Sequence, residues 1–389
     1  MTDPSLTDED FNALTELSHA DSVTTRATSG FSSGAPRVVS VLDTTAFSTA
    51  KLDQRLPFLK QYGGGSLAYS SLQTELDYYL QSNCGYIAYS LIGKHADVPV
   101  CLADPICSED DTEQLVKNFI QLFEYPIFVH ISKRVAEILS QMDFLVNEIG
   151  TETILDLQQF TLVGVKKEFL RSQINRSKKD GLVIKEQLIS EVGVNVLKEI
   201  STHWLEKKVV RSRELSFLVR PIIYADEMDV RTFIAYKNEC VVGFGIFDPI
   251  YRNGQVIGYL ANTLRSAGCS YSIADCIVLE AMRVFKEEGR EILSLGFVPL
   301  SKVNDIGEFR YNKVLKKIFQ FVYEYANYVY EFKALAFHKS RYRPGTDGCR
   351  EIKVYCAYKE PARLSLLTEV FSLMGINVIS QMFNRLIGR

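Results

Sequence analysis

Two stretches of the chain carry residue types suited to chemistry. One is Phe332-Lys333-Ala334-Leu335-Ala336-Phe337-His338-Lys339-Ser340-Arg341-Tyr342-Arg343-Pro344, which reads as a basic, aromatic loop after a helix. Upstream of it, Ser294-Leu295-Gly296-Phe297-Val298-Pro299-Leu300-Ser301 reads as a buried strand that stops at a Gly/Pro turn. A histidine such as His338 can serve as a general base near neutral pH, although a single His between Phe337 and Lys339 is more often a surface residue. The second stretch, Lys166 to Lys185, holds seven basic residues against two acids. Lys167, Arg171 and Lys178 fall on roughly one side of a helix with Arg176 nearby. That spacing suits a phosphate backbone, and it equally suits a solvated helix face.

The elements that must position these residues alternate. Strands are expected at 86–92, 98–103, 127–131 and 153–157, with helices at 112–123 and 135–142 between them. After a helix near 190–207 the pattern repeats. A hairpin pairs Arg231 to Tyr236 with Val241 to Phe247, a strand covers 257–265, and a long helix covers 272–288. A strand at 292–295, a helix at 312–328 and a last strand at 351–358 complete it. Two copies of one topology in tandem imply an ancestral duplication. Residues 1–37 are rich in Ser, Thr, Asp and Gly and are expected to be a disordered acidic tail, unsuited to RNA. Residues 361–389 read as an amphipathic helix, to be packed on the body or laid in a membrane interface.

Composition narrows the class. The chain has 389 residues, of which 47% are hydrophobic and 23% charged, as in ordinary globular proteins long enough for two domains. No stretch is long and apolar enough to read as a transmembrane helix, and Met1-Thr2-Asp3-Pro4 does not open a signal peptide. The eight cysteines form no Cys-x-x-Cys pair, which points to reduced thiols in the cytoplasm and to no metal site. A net charge of −3 leaves contact with nucleic acid or lipid to a local basic patch.

In order along residues 85 to 355, several blocks together resemble the catalytic C-terminal domain of bacterial phosphatidylglycerol lysyltransferases, the multiple peptide resistance factor family. These blocks are Gly85-Tyr86-Ile87-Ala88-Tyr89, Ala103-Asp104-Pro105, Gly150-Thr151-Glu152, Asp156 to Gly164, the basic helix 166–181, and His203-Trp204-Leu205 with Glu214 and Phe217. The Ser294–Ser301 and Phe332–Pro344 segments complete the pattern. The resemblance implies an α/β (α+β) fold of tandem GNAT-like acyltransferase domains, with mixed central sheets flanked by helices. The first domain would span 38–188, including the basic helix, and the second, catalytic one 189–360. It implies an aminoacyl-tRNA donor and a hydroxyl acceptor, a membrane lipid such as phosphatidylglycerol, with no cofactor and no metal, since an aminoacyl ester is already activated. The protein would then be cytoplasmic or peripheral at the inner face of the membrane, touching it through 362–389.

Under that resemblance Arg265, Lys339 and Arg350 are the candidate cations for the charge of a tetrahedral intermediate, and His338 is the candidate base. Asn262, Gly296, Ser301 and Lys333 fall in the substrate-binding blocks, and Lys166, Lys167, Arg171, Arg176 and Lys178 would meet tRNA. The family has aspartate-leucine-methionine-arginine where this chain has Asn262-Thr263-Leu264-Arg265, so Asp275 is a candidate to replace the missing acid as ammonium ligand. The family's tryptophan after Pro344 is also absent. Three other readings stay open: transfer to a soluble small molecule or peptide, a non-catalytic binding module, and an acyl-CoA N-acyltransferase. The last is suggested by a partial likeness of Arg265–Ser270 to a pyrophosphate loop.

Overall fold

A computed structural model describes residues 38–40, 54–93, 95, 97–206, 217–267, 271–325, 331–346, 348–360, 369–370 and 372–373. The tail expected at 1–37 and nearly all of the helix expected at 361–389 lie outside the described residues. Near that helix, Glu369 accepts a hydrogen bond from the Gly93 N–H at 2.7 Å, and Val370 is buried in the core.

The first half of the chain contains β1 (Val38–Ser40), α1 (Leu56–Tyr62), β2 (Asp77–Gln81), β3 (Gly85–Ile92), β4 (Val98–Leu102) and β5 (Ile106–Cys107). It continues with α2 (Thr112–Leu122), β6 (Ile127–Ile131), α3 (Lys133–Gln141), β7 (Leu145–Asp156) and α4 (Glu168–Lys179). Then follow β8 (Val183–Glu186), α5 (Ile189–Val192), α6 (Val194–Glu206), β9 (Arg231–Lys237), β10 (Cys240–Arg252) and β11 (Gln255–Ser266). The chain closes with α7 (Ile273–Glu287), β12 (Ile292–Pro299), α8 (Lys313–Tyr325), α9 (Phe332–Ser340) and β13 (Cys349–Tyr358).

Local chemistry sets these boundaries. Ser132 and Ser272 are N-caps whose hydroxyls accept the N–H of Val135 and Asp275, and Gly289, at φ +78°, follows the end of α7. The β9–β10 and β10–β11 hairpins turn on Asn238-Glu239 and Asn253-Gly254, all four residues at positive φ as tight hairpins demand. The helix expected near 190–207 is interrupted by Gly193 at φ +97°.

The mixed α/β class expected from sequence is present as one sheet ordered β1-β2-β3-β4-β6-β13-β7-β12-β11-β10-β9-β8, with β5 on β3. Its two halves mirror each other about the antiparallel β13·β7 pair. β4·β6 and β11·β12 are the equivalent parallel pairs, and α2 and α7 are the crossovers between their strands. The halves are not separate along the sequence, because β13 lies between β6 and β7, and β8 joins the far edge through β9. On one face α2 and α3 cover the first half and α7 and α4 the second, around Phe119 and Phe285. The largest core, around Tyr86, Tyr251 and Leu260, fills the other face.

One irregularity positions the chemistry. β11 and β12 pair only over Gly258↔Ile292, Tyr259↔Leu293 and Leu260↔Ser294. Beyond this, β11 continues against β10 and β12 against β7, so the two strands splay apart. Across this opening runs α9, where a loop was expected. Its Phe332 packs with Leu260 in the core of one face, while Tyr342, just past its end, packs with Leu295 in the core of the other.

Candidate active site

Neighbouring residues on a helix point about 100° apart, so His338 and Lys339 on α9 reach different partners. His338 Nε2 lies 2.9 Å from Asp275 Oδ1 in the first turn of α7. Tyr342 donates its hydroxyl to the same oxygen at 3.0 Å, and Arg341 donates to Oδ2 at 3.1 Å. Burial alone would raise the Asp275 pKa, but the hydrogen bonds from His338, Ser272 and Tyr342 and the charge of His338 outweigh it and hold the carboxyl below its ordinary value. Asp275 is fully buried and its oxygens are already taken, so it fixes the end of α9 rather than waiting for an ammonium group.

Lys339 turns instead to β12. The residue is only 6% exposed, and its ammonium donates to the Phe297 carbonyl at 2.9 Å. Desolvation lowers its pKa from 10.5 to about 7, against the opposing pull of Glu152. Gly296 lies beside it: the residue stands at φ +82° in a bulge of the β12·β7 ladder, and a Cβ there would be in ordinary contact with Lys339 Nζ at 3.5 Å. The Gly296 N–H donates to Ser294 Oγ at 2.9 Å, and Ser294 Oγ donates to Glu152 Oε1 at 2.6 Å. His130 completes the group from the end of β6, at φ +63°, with Nε2 3.9 Å from Glu152 Oε2 and no hydrogen-bond partner for that nitrogen among the described residues. Burial lowers its pKa, so the imidazole is neutral at neutral pH. An amine near its midpoint, a buried carboxyl and a neutral imidazole together can pass a proton between two oxygens.

The remaining expected residues divide. Asn262 and Arg265 form the β11 wall of the opening. Asn262 donates to the Arg220 carbonyl at 3.3 Å, and Arg220 is pinned between Asp248 and Glu227. The Arg265 guanidinium lies 3.8 Å over the Trp204 ring. Ser301 is buried in the turn after β12, and Lys333 pairs with Glu324 on the surface, apart from Lys339. Arg350 opens on another cleft, about 460 Å³ in volume, which it shares with Asp156, Arg252 and Glu291 near the start of β12. It does not join Lys339.

In the basic segment the expected exposure of Lys167 is corrected. Its side chain is fully buried, with Nζ 2.6 Å from the Tyr342 carbonyl and 4.0 Å over the Phe160 ring. A cation held in this way has no face left for a phosphate. Arg171, half-buried, ties down the carbonyls of Leu162 and Gly164. Lys166, Arg176 and Lys178 are exposed. Sequence reasoning does not single out Glu152, His130, Ser294, Arg341 or Tyr342 as site residues. His130 leaves one trace in the sequence, a polar residue inside the otherwise apolar strand β6, and Glu152 stands in the Gly150-Thr151-Glu152 block.

Among the described residues no helix is long and apolar enough to cross a membrane, and no group of three or more His, Cys, Asp or Glu side chains is placed to hold a metal ion. A doubled, mixed α/β sheet with a buried lysine at the splay of a parallel strand pair is the class that this fold and site define. Residues 57–358 match the family described as phosphatidylglycerol lysyltransferase, C-terminal, and the chain belongs to that family. The phosphatidylglycerol lysyltransferase of Staphylococcus aureus is 25% identical over 306 residues, which cover 76% of this chain and 35% of the relative. That of Bacillus subtilis is 24% identical over 319 residues, covering 79% and 35%. The chain thus spans about a third of the length of these curated relatives. The structure of L-PGS from Bacillus licheniformis superposes with a TM-score of 0.67 at 21% identity, covering 84% of this chain and 97% of that one, and shows the same fold.

Proposed function

We propose that the chain moves an amino acid from an aminoacyl-tRNA to a lipid hydroxyl, with phosphatidylglycerol as the acceptor. The observation that carries the reading is Lys339, a buried amine with a pKa near 7 at the β11–β12 opening. In its neutral form Lys339 takes the proton of the attacking lipid hydroxyl as the oxygen bonds to the ester carbon. It returns that proton to the ribose oxygen of the tRNA as the old ester bond breaks. No proton, electron or cofactor is consumed, as befits a transesterification. Glu152 offsets part of the cost of burying the lysine's charge, and Asp275 positions His338 and the end of α9. The exposed Arg176 and Lys178 in the second half of α4 meet the tRNA, while Lys167 and Arg171 serve the fold.

An acyl-CoA donor is less well supported. Its pyrophosphate would need the free N–H groups of a helix start, and the first turn of α7 already holds the buried carboxyl of Asp275 under the end of α9. The test is to incubate the full chain with radiolabelled aminoacyl-tRNAs and phosphatidylglycerol in mixed micelles and then extract the lipid. Label in the organic phase identifies both the reaction and the amino acid. Deacylation without labelled lipid would move the acceptor to a soluble hydroxyl compound, and tRNA that stays charged would end the reading.

A further inference from the structure

The loop between β7 and α4 presents an apolar tip that the core does not use. Val163 is 77% exposed and Val165 84% exposed. They flank Gly164, whose φ of +94° turns the chain so that both β-branched side chains stand outward. The tip is braced. Arg171 holds the carbonyls of Leu162 and Gly164, Thr161 Oγ1 accepts the Val163 N–H at 3.1 Å, and Arg343 Nε donates to the Lys166 carbonyl at 3.0 Å.

The apolar surface continues onto two helices. Phe169 on α4 and Phe337 on α9 are 38% and 64% exposed, and the Arg341 guanidinium lies between them, 4.4 Å and 5.1 Å from their ring centroids. Lys166, Arg341 and Arg343 ring the patch with positive charge, against Glu168 on the adjoining turn and the bond from Arg341 to Asp275. Exposed aliphatic side chains on a braced turn, two aromatics and a basic rim match the layers of an anionic membrane surface, acyl boundary below and phosphates above. A nucleic acid would stack on the rings, but it offers nothing for two valines to enter.

We propose that the Val163–Lys166 tip, with Phe169 and Phe337, docks the chain on an anionic lipid bilayer. This assigns Lys166 to lipid phosphates rather than to tRNA, and it gives the membrane contact to a described surface instead of to residues 362–389. Its purpose rests on the reading that the acceptor is a lipid. Phe337 immediately precedes His338 and Lys339 on α9, so a bilayer at this patch lies against the helix that carries the catalytic amine.

Flotation of the full chain with vesicles tests the docking without any transfer reaction. Wild-type protein should float with mixed phosphatidylglycerol–phosphatidylcholine vesicles and far less with phosphatidylcholine alone. Val163→Asp combined with Val165→Asp should cut the bound fraction about tenfold or more, and Lys166→Glu should weaken binding to the anionic vesicles alone. Both valines are exposed, and a circular dichroism melt matching wild type will show that the variants fold. Unchanged flotation of the double variant, or no flotation of wild type, overturns the proposal. So does a patch that binds uncharged tRNA and loses that binding, but not vesicle binding, on the double substitution. A protein that floats but transfers nothing keeps the docking and loses the proposed reaction; one that transfers to micellar lipid but never floats does the reverse.

Discussion

Replacing Lys339 with Met should make the protein more stable and at the same time inactive. Burial takes the lysine from 10.5 to about 7. At 1.36 kcal/mol per pKa unit, that drop corresponds to about 5 kcal/mol of unfavourable free energy for the protonated form. Between those two values the unfolded chain keeps a proton that the folded chain has released, so stability rises with pH across the window. Below about 7 both states hold the proton and the penalty is at full size. Methionine fills a similar volume without charge but leaves the Phe297 carbonyl without the Lys339 donor, which returns about 1–2 kcal/mol. The expected net gain is therefore about 3 kcal/mol at pH 6, falling to zero or below near pH 10. Urea melts of both proteins at the two pH values measure it, and groups common to both cancel in the difference. Transfer by the variant should fall by about 10²-fold or more. In wild type the rate should rise about tenfold from pH 6 to pH 8 as the amine loses its proton, after subtraction of spontaneous ester hydrolysis. A variant less stable than wild type at pH 6, or a stability difference that ignores pH, would refute the reasoning.

Asp275→Asn should destabilise by about 3 kcal/mol at neutral pH, because three side chains of the α9 end lose a charged acceptor. As the carboxyl is held below its ordinary value, that loss is fully present above about 4 and fades as the pH falls through the folded value, which melts at pH 7 and in acid will show. Gly296→Ala should cost about 1–2 kcal/mol through its positive φ, read in the same melts, with the pH midpoint of transfer reporting any push on Lys339. Arg220→Met should cost about 3–5 kcal/mol by leaving the buried Asp248 carboxyl without its cation, lowering the melting temperature sharply. Arg176→Ala with Lys178→Ala should reduce the salt slope of tRNA binding by about one for each phosphate no longer neutralised, whereas Lys167→Ala should leave the slope alone and lower stability.

Much of the sheet is legible from sequence, because period-2 and period-3.6 patterns survive in β3, β4, β6, β10, α2 and α7. β7 is longer than expected at its start, since Leu145–Gly150 is a central strand buried on both faces. Its Asn147 and Glu148 break the apolar run, and they are satisfied by Asp305 and Lys353, which no local pattern reveals. α9 reads as a loop in sequence because of its aromatic and basic residues. As a helix across the splay it buries some of them on both faces of the sheet. Lys167 illustrates the same limit. Inside a basic run nothing local separates a lysine that ends in water from one that ends on a carbonyl and an aromatic ring. The pairing of Lys339 with the Glu152 region depends on β7, β12 and α9 meeting in space, so it belongs to topology rather than to any motif.

The position of β13 has a consequence for how the chain comes into being. During synthesis β6 and β7 leave the ribosome with a strand-wide gap between them, and the strand that fills it is more than 190 residues away. Until it arrives, the edges of β6 and β7 that it joins must wait unpaired, the condition that invites wrong partners. Neither half can finish alone, so the domain should mature late and all at once, slowly for its size, as expected of a fold closed by its most distant strand pairing. Cutting the chain between the halves would strand an incomplete sheet rather than release a smaller enzyme.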